Sequence, residues 1–330
     1  VAPIKKTYLL LLIGLISLLT ITGCESGNQQ NNPEDDVVQE ELVYTNVDRL
    51  NSIPTDVQKG TPENDQHPPI LHSDEYEEPI PLALISTAGA EDSPFIPIDR
   101  DELYFVFIKD VREEVHIQIR DIVNGIWMSK LVDGKWQEPE LVVLQDPNKL
   151  ALNGCEYITG NEMLFCSARE GYTGMHWFSA EYVDGRWNDW EHVDFKEEYQ
   201  VGELHIYHDE LYYHSAYAGG KGGNDIWMMK KVNGEWSNPS NVEAVNSEYD
   251  EGMPYITPDG TEMWFNRQYK GTPAVFRSKR VNGKWTEPEL IISQFAGEPT
   301  LDKYGNLYFV HHYYQDGKMI EADIYVAYKK

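Results

Sequence analysis

The sequence predicts an all-β fold over residues 73–330: a five-bladed β-propeller of four-stranded antiparallel blades. Three observations predict it. An aromatic residue recurs at Trp127, Trp177, Trp227, Phe276 and Tyr325, with spacings of 50, 50, 49 and 49. A tryptophan follows each of the first four after nine or ten residues, at Trp136, Trp187, Trp236 and Trp285. Between the members of each pair stands Asp133-Gly134, Asp184-Gly185, Asn233-Gly234 or Asn282-Gly283. Such dipeptides accept the positive backbone angles of a two-residue hairpin. Self-similarity with a period near fifty residues marks blades arranged around an axis.

Each unit then reads as four strands. Two flank the hairpin turn. A third lies upstream at Tyr104-Phe105, Leu164-Phe165, Tyr212-Tyr213, Trp264-Phe265 and Tyr308-Phe309. A short inner strand precedes it, as at Pro254-Tyr255-Ile256-Thr257 before the turn Pro258-Asp259-Gly260. The fifth unit stops at Tyr325-Val326-Ala327-Tyr328 and lacks an outer strand. Its counterpart sits at the other end of the unit array, where Tyr76-Glu77-Glu78-Pro79-Ile80-Pro81-Leu82 matches Trp285-Thr286-Glu287-Pro288-Glu289-Leu290. The early segment is therefore expected to complete the last blade and close the ring, removing exposed edges.

Ahead of the repeats, Lys5 and Lys6 precede an apolar run from Tyr8 to Ile21, shorter than the roughly 20 residues of a comfortable span. Residues 1–23 read as a signal peptide. Ile21-Thr22-Gly23-Cys24 resembles the bacterial lipobox, which implies acylation of Cys24 and an extracytoplasmic protein anchored to the cell membrane or outer membrane. Residues 24–72 read as an acidic disordered tether. Between Glu25 and Glu78 there are fourteen acidic residues and only Arg49 and Lys59 as basic ones. Low hydrophobicity and self-repulsion keep such a stretch unpacked.

The whole chain carries 27 Lys+Arg against 55 Asp+Glu, a net charge of −28. That balance excludes nucleic acid as a partner of the bulk surface and leaves the lipid anchor as the membrane contact.

The run Gly222-Gly223-Asn224-Asp225-Ile226-Trp227, with Asn246-Ser247-Glu248-Tyr249-Asp250-Glu251-Gly252 and Thr257-Pro258-Asp259-Gly260, resembles the WD40-like, TolB-type propeller repeats of bacterial envelope proteins. The likeness is good in blades three and four, partial in one and five, and poor in two, where Met175-His176-Trp177 replaces Asp-Ile-Trp. It implies a binding or scaffolding protein more than a chemistry.

In a propeller the inner strands start, and the second strands end, on one face around the central channel. The first set brings Asp92, Glu156, Glu203, Glu251 and Glu298. The second brings Arg169, His214, Arg267 and His312. Glu156, Glu203 and Glu251 are the candidate catalytic carboxylates. Asp92, Arg169, His214, Arg267, Glu298 and His312 are the candidate binding residues. A blander role exists for the acids, which recur in every blade: bonding the backbone N–H groups of the turn that leads into each inner strand.

No Cys/His spacing marks a metal site. Adjacent His311 and His312 point to opposite faces of their strand. No cofactor is expected, calcium being the ion that the hard oxygen ligands of the channel would suit. Cys155 and Cys166 flank the turn Gly160-Asn161, and a constant register would set them directly opposite each other. Either a disulfide or two small buried thiols fits that pairing.

The leading expectation is a monomeric, non-catalytic propeller that binds an envelope protein or glycan. The alternative is an exported glycoside hydrolase-like enzyme using the channel carboxylates, for which an axis blocked by aromatic side chains would be adverse.

Overall fold

A computed structural model describes residues 47–193 and 195–330. The signal peptide and Cys24 lie outside the described residues. Five antiparallel sheets correspond to the five repeats.

Blade one runs Ala90–Phe95, Glu102–Ile108, Gly125–Val132 and Glu140–Leu141. Blade two runs Ala151–Thr159, Glu162–Arg169, Met175–Val183 and Arg186–Val193. Blade three runs Leu204–Tyr207, Glu210–Ser215, Asp225–Val232 and Ser240–Asn241. Blade four runs Glu251–Ile256, Glu262–Tyr269, Thr272–Val281 and Glu289–Ser293. Blade five runs Ala296–Leu301, Leu307–Gln315 and Lys318–Ala327, and takes its outer strand, Ile80–Pro81, from the early segment.

Closure follows the sequence reading. Ile80 pairs with Val326 and Pro81 with Tyr325, and Tyr76 bridges Lys329. The five inner strands touch one another in a complete cycle, one to two, three, four, five and back to one.

The repeating aromatics explain why the blades stack. Tyr104 packs edge-on against Trp187 of blade two, Tyr212 against Trp285 of blade four, and Tyr308 against Trp136 of blade one, with ring centroids 6.0–6.4 Å apart. Trp264 of blade four makes the same contact with Tyr76, at 6.1 Å and 88°. Tyr76 thus stands where the other blades have their hairpin tryptophan. Edge-to-face pairs of this kind add about 0.5–1.5 kcal/mol each beyond area burial.

The stretch assigned to a tether is where the structure departs from expectation. Residues 47–72 lie against the propeller. Arg49–Ser52 forms one helical turn beside blade one, and Ile70–Leu71 adds a fifth strand outside blade four, pairing with Ser293 and Ile292. The intervening residues reach across blade five. Their composition is poor in apolar residues, and polar contacts supplement the packing of Val47 and Ile53 beside blade one and of Leu71 beside blade four. Arg49 and Lys59, the only two basic residues of the stretch, hold it to blades one and five, and the Ile70–Leu71 strand holds it to blade four.

Candidate functional site

Two of the acids that precede or begin the inner strands are turn-builders. Glu91 accepts the Thr87 backbone N–H at 2.8 Å and its hydroxyl at 2.5 Å. Glu251 accepts the Ser247 backbone N–H at 3.0 Å and also its hydroxyl. The shared spacing, Ser or Thr four residues before Glu, is the local reason. Glu251 is further bonded by Arg267 Nε at 2.8 Å, which removes it from the candidate acids as a free carboxylate.

The other acids occupy different positions. Inner strands one, two, four and five each carry a bulge at which pairing with the second strand shifts. The bulge residues Ser93, Cys155, Met253 and Glu298 have positive φ. Measured from this bulge, Asp92 lies one residue before it, Glu298 on it and Glu156 one residue after it. Glu203 sits at the matching place in blade three, where Gly202 N–H bonds His214 O and His214 N–H bonds Glu203 O. The acids are therefore not one repeated capping position, as their recurrence in every blade suggested. Asp92, Glu156, Glu203 and Glu298 form a separate group.

That group acts across the axis. Burial pushes the Glu156 carboxyl up to about 8, with the Asp92 charge adding to it. Burial, then Asp92 and Glu156, push Glu203 to about 8. Burial, then Asp92 and Glu203, hold Glu298 well above the usual carboxylate range. Blades one and three are not neighbours, so the interaction of Asp92 with Glu203 spans the centre. Both oxygens of Glu156 are buried without a hydrogen-bond partner, as is one oxygen of Glu298. Burial and mutual repulsion therefore hold Glu156, Glu203 and Glu298 toward the protonated form and favour the arrival of a cation.

Two histidines join the ring. His312 Nε2 lies 3.7 Å from Asp92 Oδ2, and its pKa is raised: burial opposes the charge, but Asp92 and Glu298 outweigh it. His214 is wedged between Gly202 and Gly252, where a Cβ at Gly202 would collide with the imidazole. Burial lowers it to about 4, so it is neutral near pH 7. His311 turns the other way, as the strand alternation predicts, onto Asp65 at 2.8 Å.

Beneath the carboxylates an aromatic layer closes the axis. The ring centroids of Phe95 and Tyr157 are 5.6 Å apart, those of Phe95 and His205 6.2 Å, and those of Tyr157 and His205 5.0 Å. Tyr255 completes the layer, 4.9 Å from His205. Phe95 and His205 come from blades one and three, so this contact also spans the centre. The channel is a blind, acidic recess.

Arg169 and Arg267 turn away from it. Arg267 donates to Val245 O at 2.7 Å and lies over Phe276 at 4.8 Å. Arg169 donates to Leu144 O at 2.9 Å and lies over Phe178 at 4.0 Å. Both stitch a second strand to the turn leading into its inner strand. Blade one has Phe107 where blade four has Arg267, each opposite the turn-building glutamate. There Arg49, from the segment ahead of the propeller, donates to Ile85 O at 2.8 Å, meets Glu91 at 3.3 Å and lies over Phe105, Phe107 and Trp127 at 5.5–5.9 Å. One arginine supplied from outside fills the place that blades two and four fill themselves. Sequence reasoning missed this, although the absence of an arginine from the end of blade one's second strand was visible.

Cys155 and Cys166 form a disulfide. The predicted register holds from the turn to Tyr157 and Leu164; the bulge then shifts it, so that Cys166 opposes Gly154. Cys155 is the extra, bulged residue, and the bridge spans the bulge. Among the described residues no group of three or more His, Cys, Asp or Glu side chains converges on a metal position.

Fold and site together define a closed five-bladed β-propeller with a blind acidic recess on its axis. No protein-family model matches the chain, and no curated protein matches its sequence. Among solved structures it is similar to TolB from Acinetobacter baumannii, at 11% identity and a TM-score of 0.44 over 75% of this chain and 56% of that one. It is similar to an endo-arabinase from Bacteroides thetaiotaomicron, at 13% identity and a TM-score of 0.47 over 73% of this chain and 94% of that one. It is also similar to Bacteroides ovatus xyloglucan PUL GH43B, at 14% and 0.48, covering 75% and 53%. The chain spans about half the length of the first and third. These are loose likenesses, and the five-bladed architecture stands on the strand pairing itself.

Proposed function

We propose that this chain is a non-catalytic binding propeller, exported and lipid-anchored through Cys24 on the face of a cell membrane or outer membrane. It acts as a monomer and binds an envelope protein or glycan through the channel face. The partner presents a cationic group, an ammonium or guanidinium, to Asp92, Glu156, Glu203 and Glu298.

The observation that carries this reading is Glu156: buried, with both oxygens unbonded, and facing the charge of Asp92. A buried carboxylate without a partner is costly. A ligand cation would relieve that cost at every member of the ring at once. The surrounding face offers Leu150, Tyr172 and Tyr249 as exposed apolar contacts.

A second reading has one observation in its favour. A carboxyl held protonated near neutral pH opposite an acidic neighbour is the acid half of a glycosidase pair. The aromatic floor at Phe95, Tyr157, His205 and Tyr255 stands against it, since it leaves a recess rather than a cleft.

The test is calorimetric titration of the full chain with oligolysine, with glucosamine oligomers and with their N-acetylated, uncharged counterparts. Binding of a charged member that weakens at least tenfold in Glu156→Gln and Glu203→Gln is expected. Equal affinity for charged and uncharged forms would refute the cationic reading. Release of reducing sugar that those two variants abolish would replace it with the hydrolase.

A further inference from the structure

Blade five holds a second acidic recess, and it is occupied. Lys59 Nζ contacts Glu321 and both oxygens of Asp323, the latter at 2.7 and 2.6 Å. The next residue, Gly60, donates its backbone N–H to Glu321 and lies flat on the Tyr313 ring. A Cβ at Gly60 would fall 2.5 Å from Tyr313 Cγ. The ammonium also lies 6.0 Å from the centre of that ring, within cation–π range. Carboxylates for the ammonium, an aromatic face for the chain and room only for glycine beyond it together describe recognition of a Lys-Gly pair.

The repeat shows why these carboxylates are available. Asp323 aligns with Asp225 of blade three, since Tyr325 and Trp227 occupy the same register. Asp225 is consumed by its own turn, accepting the N–H groups of Lys221 and Gly222 and the Asn241 amide. Blade five replaces that glycine-rich turn with the tight hairpin Asp316-Gly317. Asp323 therefore keeps its carboxylate free for an incoming cation. Glu321, buried beside it, is pushed by burial and by the Asp323 charge to about 9.

The segment that delivers Lys59 is held lightly. Between Pro54 and Pro69 the only residue buried as a whole is Gly60, joined by the side chain of Asp65. The segment's remaining holds are polar or through rings: Asp65 on His311, His67 against Phe295 with centroids 5.3 Å apart, and the exposed Asp56 accepting two bonds from Arg112 of the blade-one loop at 3.0 and 3.2 Å. Its two ends are fixed separately, at Arg49 and at Ile70–Leu71. Segments with so little apolar burial open at low cost while the rest stays folded.

We propose that the Glu321–Asp323–Tyr313 recess is a lysine-binding site of which Lys59-Gly60 is the built-in occupant. A protein partner presenting an exposed Lys-Gly pair competes with it, and the arch of residues 54–69 lifts when it wins. Tethering gives Lys59 an effective concentration of about a millimolar or more, so the free site is masked in the resting chain. The site is separate from the axial channel and does not depend on the reading given to it.

The test uses the full chain and the dipeptide N-acetyl-lysyl-glycine amide, with the uncharged N-acetyl-norleucyl-glycine amide as control. Lys59→Met empties the recess. Gly60→Ala ejects the occupant by its methyl group while keeping every charge. Both variants are expected to bind the lysyl probe at least tenfold more tightly than the unaltered chain, and not to bind the control. Hydrogen exchange across residues 54–69 should rise in Gly60→Ala. Adding Glu321→Gln and Asp323→Asn to Lys59→Met should abolish binding. Equal binding by all chains, or binding that survives the Glu321/Asp323 changes and so belongs to the axial channel, would overturn the proposal. Should Lys59→Met fail to fold, Gly60→Ala decides alone: unchanged exchange and unchanged probe affinity there would also overturn it.

Discussion

The axial channel and the blade-five recess are built from the same material and end in opposite states. Each gathers buried carboxylates on the channel face. In blade five the chain brings its own cation, Lys59, onto Glu321 and Asp323, and beside it Arg49 onto Glu91. On the axis no Lys or Arg ion pair reaches Asp92, Glu156, Glu203 or Glu298 among the described residues; His312 faces Asp92 and Glu298, and Ser93 donates its backbone N–H to Asp92 at 2.9 Å. Burial pushes Glu91 and Glu321 up to about 8 and about 9, as far as Glu156 and Glu203. But a fold that brings arginine from 42 residues away onto one acid, yet leaves Glu156 with neither oxygen bonded, separates its acids into two kinds by their bonding. The compensated ones hold the blades together. The uncompensated ones are available to something outside the chain.

The strongest way to break this division is at Arg49. Its side chain is 2% exposed and that of Glu91 is fully buried, so Arg49→Ala strands a buried carboxylate. Burial and the Asp323 charge already push the Glu91 carboxyl up to about 8. The full cost of removing one member of such a pair, about 3–5 kcal/mol, is therefore expected above that pH and less below it, read as a lower midpoint in denaturant unfolding. Arg49→Met with Glu91→Gln should cost clearly less, because no charge is left alone. Were Arg49→Ala neutral, the early segment would be an accessory rather than part of blade one.

The channel should respond in the opposite sense. The Glu156 carboxyl titrates near 4.5 in the unfolded chain and about 8 in the folded one. Between those values the folded state holds a proton that the unfolded state has lost. Its contribution is complete below pH 4.5 and disappears as pH rises through 8, so stability falls across that window. Glu156→Gln should therefore leave the melting temperature nearly unchanged at pH 5 and raise stability by roughly 2–4 kcal/mol at pH 8.5. A bound cation should mimic the substitution, raising the melting temperature more at pH 8.5 than at pH 5. A flat pH profile in both proteins would mean that the ring is already compensated.

The contrast also explains what could be read in the residues beforehand. The five units were legible because each repeats its own turn chemistry and its aromatic pair, and Tyr76 could be matched to a hairpin tryptophan on seven residues. The channel acids were legible as residues near the inner-strand starts. Their grouping was not, because one bulged residue in a strand shifts which acid faces the axis, and Ser93, Cys155, Met253 and Glu298 do not look alike. Arg169 and Arg267 looked like ligand-binding cations at strand ends; only their stacking on Phe178 and Phe276 shows them to be stitches. Arg49 and Lys59 were hidden by the composition around them. Fourteen acids and two bases describe a solvated tether, yet both bases dock its described part, together with the short strand Ile70–Leu71.

The disulfide supports the channel wall from blade two. It closes a short loop, with a sequence separation of 11. Loop closure of that size is worth roughly 2–3 kcal/mol in the chain-entropy account. Cys155→Ser with Cys166→Ser should lower stability by about that amount at every pH. Since Cys155 precedes Glu156 directly, the cationic probes should also bind more weakly if the bulge is what aims that carboxylate; unchanged affinity would show that the strand holds the bulge unaided.

The smallest effects are expected at the two stitching arginines, and they distinguish stitch from site most cleanly. Arg169 bonds neutral partners, Ser167 and Asn153, besides a carbonyl. Arg267 bonds Glu251, whose side chain is fully buried. Removing Arg169 forfeits hydrogen bonds and ring contact, about 1 kcal/mol, whereas removing Arg267 also leaves a buried acid with only Ser247, about 2 kcal/mol. Affinity for a cationic probe at the channel should be unaltered in both, because neither guanidinium faces Asp92 or Glu156. If Arg169→Ala or Arg267→Ala instead tightened such binding severalfold, these cations would belong to the channel's field after all, and the line between compensated and uncompensated acids would have to be redrawn around them.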